Sequence, residues 1–170
     1  MDIEILVTDC EAEAQWPGLR DCGEDVFGMA VYGLTWRPKE LHLTAFVEGE
    51  AVSHVGLLRH ALLVGSERVP IAGVGGVVTL PKYQKQGIAR RLLDAARPLM
   101  RDDMEADFGY LFCRPPLVEF YRNLSWQLIE APVFFDQPNG RVESPLRCMV
   151  LPLKDHEWPG GEVEMGCFPW

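Results

Sequence analysis

The stretch from residue 71 to residue 100 constrains this chain more than any other part of it. Residues 71–80 (IAGVGGVVTL) carry no charge and are rich in valine and glycine, the pattern of a buried strand. Residues 81–87 are polar and turn-like. Beyond them Ile88, Leu92, Leu93, Ala96, Leu99 and Met100 share one face of a helix, with Arg90, Arg91, Asp94 and Arg97 on the other. A strand feeding a helix through a short turn leaves the first helical N–H groups without intrahelical acceptors, and the helix dipole adds partial positive charge there. Such a place binds phosphate or pyrophosphate. Gly87 and Ala89 let a bulky diphosphate approach the backbone. Pro98 removes the N–H that would bond the carbonyl of Asp94, so the helix is expected to kink or end there.

Charge sharpens that reading. The 170 residues have a formal charge of -9. Residues 81–101 hold Lys82, Lys85, Arg90, Arg91, Arg97 and Arg101 against Asp94 alone, a local +5 that leaves -14 elsewhere. The acidic balance speaks against a nucleic-acid surface or an anionic membrane as partner. It leaves room for one anionic cofactor at the turn and for a cationic substrate beside it.

Other phosphate and nucleophile motifs fail. There is no GxxxxGK[ST] sequence. Gly73-Val74-Gly75 begins like a dinucleotide fingerprint, but Val78 stands where the third glycine belongs and the glycines lie inside the strand. No GxSxG elbow occurs. Five cysteines without a CxxC pair suggest neither zinc nor a disulfide scaffold, and reduced thiols in a cytoplasmic protein are the expectation. His42, His60 and His156 have no metal-ligand spacing. The first residues, MDIEILVTD, show neither a basic region nor a long apolar core and no apolar run is long enough to span a bilayer, so neither a leader nor a membrane span is expected.

Along the chain a first strand is expected over residues 3–8, and short or broken helices between Trp16 and Trp36. Strands follow over 41–48, 51–64 and up to Leu80, then the helix from Ile88. A strand over 110–113, a short helix over 117–123, and strands over 128–135 and 146–153 complete the order. Residues 154–170, with Trp158, Phe168 and Trp170, read as a docked coil. The expectation is one α+β domain over residues 1–170, a mixed and mostly antiparallel sheet flanked by helices.

The turn Gln84-Lys85-Gln86-Gly87-Ile88-Ala89 resembles the acyl-CoA-binding motif [QR]-x-x-G-x-[GA] of the GNAT N-acetyltransferase family. A second segment, Phe120-Tyr121-Arg122-Asn123-Leu124-Ser125-Trp126, resembles that family's FYxxxGF/GW element, with Ser125 where glycine is usual. The resemblance spans residues 41–153. It implies transfer of an acetyl group from acetyl-CoA to a primary amine by direct attack in a ternary complex. It further implies that the backbone of Val77, Val78 and Thr79 pairs with the pantetheine arm, and that the N–H groups of Gln84, Lys85, Gln86, Gly87, Ile88 and Ala89 wrap the pyrophosphate. A strand N–H near Val78 would serve as oxyanion donor, and Tyr121 would protonate the departing thiolate. A homodimer is the family's habit.

Narrower likenesses join these. Residues 53–59, 150–153 and 157–161 resemble segments of aminoglycoside 2'-N-acetyltransferases and of rhizobial nodulation-factor N-acyltransferases, both acting on amino groups of sugars. The final Trp170 resembles the end of the aminoglycoside enzymes, which helps hold the amine. Gly75 falls where those enzymes place an acid facing the substrate, and Ala30, Thr35 and Phe168 fall near other acidic contacts. Glu143, Glu162 and Glu164 are candidates to line an acceptor pocket, or are simply solvated. His54 is either a hydrogen-bonded strand histidine or the group that accepts the amine proton. Tyr121 is either the general acid or a core tyrosine, and Cys113 reads as a buried thiol rather than a nucleophile. A longer acyl donor, or a non-catalytic acyl-CoA-binding module, are the alternatives.

Overall fold

A computed structural model describes residues 1–9 and 25–170. Its elements run β1 (Glu4–Asp9), β2 (Leu41–Val47), β3 (Glu50–Val64), β4 (Glu67–Thr79), α1 (Ile88–Pro98), β5 (Phe108–Cys113), α2 (Val118–Arg122), β6 (Gln127–Leu128), β7 (Val133–Gln137), β8 (Gly140–Glu143), β9 (Arg147–Pro152) and β10 (Val163–Glu164). All ten strands join one sheet in the order β6-β9-β5-β4-β3-β10-β7-β8, with β2 on β3 and β1 on β2. Pairing is antiparallel except at β4–β5 and β7–β10. This is the mixed α+β sheet that the sequence leads one to expect.

The two faces follow from the period-2 alternation of the central strands. Leu57, Val74, Leu111 and Met149 point to one side, where Ile88, Leu92, Leu93 and Ala96 of α1 and Tyr121 of α2 cover them. Leu58, Ile71, Tyr110, Phe112 and Val150 point to the other, against Trp170 and Trp158 from the tail. Each fully buried leucine contributes about 1.5–3 kcal/mol of apolar transfer, so both faces are needed to stabilise the sheet.

The expected stop at Pro98 holds, and other expectations change. The regular helix does stop at Pro98, but the chain continues in a π-turn, Leu99–Asp103, with Met104 N–H donating to Leu99 O at 3.0 Å. The single strand expected over 128–135 is two, because Pro132 falls between the segments; β6 pairs β9, whereas β7 pairs β8 and β10. The hairpin partner β8 was not expected. The tail is not all coil, since Val163 and Glu164 insert as β10 between β3 and β7. Of the broken helices placed between Trp16 and Trp36, residues 10–24 lie outside the described residues. The remainder holds a turn and one 3-10 turn, Ala30–Tyr32.

Candidate active site

β4 and β5 pair in parallel only over Ile71–Val74 and Phe108–Leu111. Beyond Val74 the two strands part, and β4 is held from one side alone. Gly76 takes φ +60, a conformation that glycine adopts at no steric cost, and the β3–β4 register shifts between His54 and Gly56. The gap is a cleft of about 700 Å³ lined by residues 74–79, by Gln84, and by Tyr121 from α2. On its β5 side the backbone of residues 75–79 has no strand partner among the described residues, so an extended chain can add there as a further strand.

At one end stands the phosphate turn. Gly87 adopts φ +79 as the N-cap of α1, and a Cβ built on it meets nothing within 4 Å. Lys85 also sits in the left-handed region at φ +61. Gln84 Nε2 donates to Thr79 O at 3.0 Å and Gln86 Nε2 to Lys82 O at 2.9 Å, so two motif side chains brace the loop. The Gln84 N–H is itself taken, donating to Pro81 O at 3.3 Å, so of the six expected backbone donors those of Lys85, Gln86, Gly87, Ile88 and Ala89 are left to face a ligand. The turn is tied to the β2–β3 hairpin, where Glu50 accepts from Lys82 at 2.8 Å and from Tyr83 at 3.0 Å. Those two hydrogen bonds hold the Glu50 carboxyl below its usual range.

These contacts revise the charge count. Lys82 pairs with Glu50, Arg90 and Arg97 with Asp94, and Arg101 with Asp102. Of the six basic side chains, Lys85 and Arg91 are the two outside these ion pairs. The local +5 therefore overstates what is offered to an anion.

Midway along the cleft Tyr121 is buried at 5% exposure against Phe120 and Trp126. Burial, with the neighbouring Cys113 second, raises its hydroxyl well above the usual phenol range, so it is protonated throughout the neutral range. Cys113, also in the lining, has its thiol pushed up to about 11 by burial and is no nucleophile. Ser125, in the second motif, takes φ +70, the region that favours glycine.

The remaining candidates scatter. His54 lies under the β4 bulge: its Nδ1 donates to Gly76 O at 2.7 Å, and its Nε2 is 2.8 Å from His42 Nδ1. A carbonyl can only accept, so Nδ1 carries a proton, and this histidine fixes the bulge rather than lining the cleft. Gly75 lines the cleft with its backbone, but a Cβ there would stand 2.9 Å from Lys39 Cε and 3.1 Å from Trp170 O. The space an acid would fill at this position is taken. Trp170 is 3% exposed and does line the cleft. Glu143 is on β8 opposite Phe134, outside that lining, and Glu162 and Glu164 both engage Arg141.

Sequence reasoning missed Lys39 and Arg114; they line the cleft with Trp36 and with residues 25–27 and 29, from the loops between Trp16 and Trp36 that the sequence offers as part of the acceptor pocket. Asp25 Oδ1 accepts from Met29 N–H at 2.6 Å and from Ala30 N–H at 3.1 Å, which holds the 25–29 turn in place. No local signal marks Lys39 or Arg114, because only the splay of β4 from β5 brings them together.

A parallel pair that opens into a cleft, with a glycine turn and a helix start at one end and a buried tyrosine beside it, defines an acyltransferase domain. The family model for the acetyltransferase (GNAT) domain matches residues 12–129, and the chain belongs to that family. Nodulation protein A of Mesorhizobium japonicum is 26% identical over 151 residues, covering 77% of this chain and 74% of that one. Among solved structures, the GNAT family N-acetyltransferase YhbS of Escherichia coli in complex with CoA superposes with a TM-score of 0.63 at 18% identity, over 98% of this chain and 92% of that one. A GNAT family acetyltransferase of Brucella melitensis in complex with acetyl-CoA gives 0.59 at 18% identity, over 95% and 94%. The chain spans 34% of a longer GNAT structure from Kribbella flavida, with 75% of this chain covered, at 19% identity and a TM-score of 0.57.

Proposed function

We propose that the protein transfers an acetyl group from acetyl-CoA to the primary amine of a small molecule, by direct attack within one ternary complex. The observation that carries this is the unpaired β4 edge over residues 75–79, continuous with the open turn at Gly87. The pantetheine arm fits the edge as an added strand. The diphosphate fits the turn, where Gly87 leaves room and the helix start supplies N–H donors. Acetyl-CoA supplies the thioester. The chain supplies an N–H near Val78 where negative charge develops, and the Tyr121 hydroxyl to protonate the leaving sulfur.

The cleft opens on both faces of the sheet. α1 and Tyr121 lie on one, whereas Lys39 and Trp170 lie against the glycines of the other, so the amine meets the thioester from the Trp170 side. An amino sugar or aminoglycoside as acceptor draws its support from sequence likeness. A longer acyl donor is favoured by one observation: Phe27 and Leu117, both in the cleft lining, stay 39% and 36% exposed. Measuring CoA release from acetyl-CoA and from longer acyl-CoAs, over amino sugars, aminoglycosides, polyamines and amino acids, tests the whole reading. Turnover of acetyl-CoA on an amine is the expected result. Tight acetyl-CoA binding with no turnover on any amine would reduce the protein to a binding module.

A further inference from the structure

The cleft holds a cation that no ion pair among the described residues neutralises. Arg114 follows the last residue of β5 and lines the cleft. It takes part in none of the ion pairs among the described residues. Its Nε is buried and has no hydrogen-bond partner there. A buried, unsatisfied guanidinium nitrogen is costly to leave so, and in a chain of net charge -9 acids are plentiful on the surface.

The guanidinium is also held. A Cβ on Gly28 would lie 2.9 Å from Arg114 Cζ, 3.1 Å from Nε and 3.1 Å from Nη1. Those near-equal distances set Gly28 over the face of the planar group rather than at its edge. Gly28 takes φ +64, and no other residue fits there without displacing the arginine. The turn that carries Gly28 is pinned by Asp25. This carboxylate, the one acid among the described lining residues, is already spent on the N–H groups of Met29 and Ala30. A face-covered guanidinium keeps its in-plane donors for a planar, two-oxygen acceptor. The cleft that it lines also carries large apolar side chains, Phe27, Met29, Trp36, Leu117 and Trp170, with Lys39 as a second cation.

We infer that Arg114 anchors a carboxylate on the acceptor, which is therefore an apolar amino acid or a close analogue and not a polycation. The carboxylate meets the Arg114 fork, the side chain packs against the aromatic walls, and the amine is presented to the thioester beside residues 75–77. This rests on the N-acetylation reading above and narrows its substrate class.

Matched amines separate the two. Phenylalanine, phenylalaninamide and phenethylamine share a ring and an amine and differ in the carboxylate. The wild-type protein is expected to acetylate phenylalanine with kcat/KM at least roughly tenfold above the other two, the range of one charge-assisted hydrogen-bonded contact. Arg114→Gln should raise KM for phenylalanine by about that factor, leave kcat and acetyl-CoA affinity unchanged, and leave phenethylamine unaffected; Arg114→Lys should fall between. If the glutamine variant fails to fold, the wild-type preference decides alone. Equal rates on all three amines, or a loss of acetyl-CoA affinity in the variant, would overturn the inference while N-acetylation stands. Acetyl-CoA binding with no turnover on any amine would overturn both.

Discussion

Gly73→Ala is a single-methyl change with a large expected effect. The added Cβ would lie 2.3 Å from Trp170 Cε2, 2.6 Å from Nε1 and 2.7 Å from Cζ2, well inside contact distance. The indole cannot simply rotate away. It is 3% exposed and packs edge-on against Tyr110, Phe112 and His60. Overpacking of this kind costs about 1–3 kcal/mol. Trp170→Ala alone, which empties the same seat, costs about 3–5 kcal/mol. In the double variant the clash has no partner, so its stability should match Trp170→Ala within about 0.5 kcal/mol. The coupling should then equal the Gly73→Ala cost with opposite sign. Urea denaturation followed by far-UV circular dichroism measures all four proteins. Gly73→Ala should also lower Tm by about 2–4 °C per kcal/mol. Simple additivity of the two costs, or a Gly73→Ala protein as stable as the wild type, would refute the claim that the bare face of Gly73 on β4 is the seat of the Trp170 indole.

Three further expectations concern the site and its surroundings. Tyr121→Phe should lower kcat by about 100-fold with acetyl-CoA affinity intact, read by steady-state kinetics and calorimetry; an unchanged kcat removes the tyrosine from proton transfer. Gly87→Glu should abolish acetyl-CoA binding in a protein that still folds, because its side chain points into open space and its charge repels a diphosphate. Retained affinity would move the cofactor elsewhere. Burial lowers the basicity of His60, with its ring against Met165 O at 2.7 Å and Arg37 close by. Its folded pKa is below the unfolded value of about 6.5. The unfolded chain therefore binds more protons in acid, and stability is lost as pH falls below about 6.5. His60→Gln should flatten that slope between pH 7 and 5, and denaturation midpoints that fall equally steeply in both proteins would contradict it.

The legible parts were those with local physical signatures. The apolar runs of β3 and β4 bounded by turns, the amphipathic face of α1 and the polar turn before it are short-range patterns, and each element lies where its pattern put it. Gly87 was legible for the same reason, since a helix start that needs φ above zero selects glycine from its own backbone. Signals failed where a residue's role depends on a distant partner. His54 reads as a candidate base because its side chain suits that chemistry, but its place under the Gly76 bulge depends on the β3–β4 register and on His42. The basic count of the phosphate turn was read without Glu50, which arrives from a hairpin more than thirty residues away.

What the sequence by itself determined is the class of protein: a strand, a glycine turn and a basic helix suffice to specify an anion site, because backbone donors and a helix dipole are local properties. What only the tertiary structure decided is the other half of the cleft. Arg114, Gly28 and Lys39 come from three separate segments, and nothing in their own neighbourhoods places them beside Trp170. They converge because β4 leaves β5 after Val74, a separation that depends on pairing between strands and not on any one of them. That convergence is also what puts Arg114, unpaired among the described residues, into the cleft of an acidic chain.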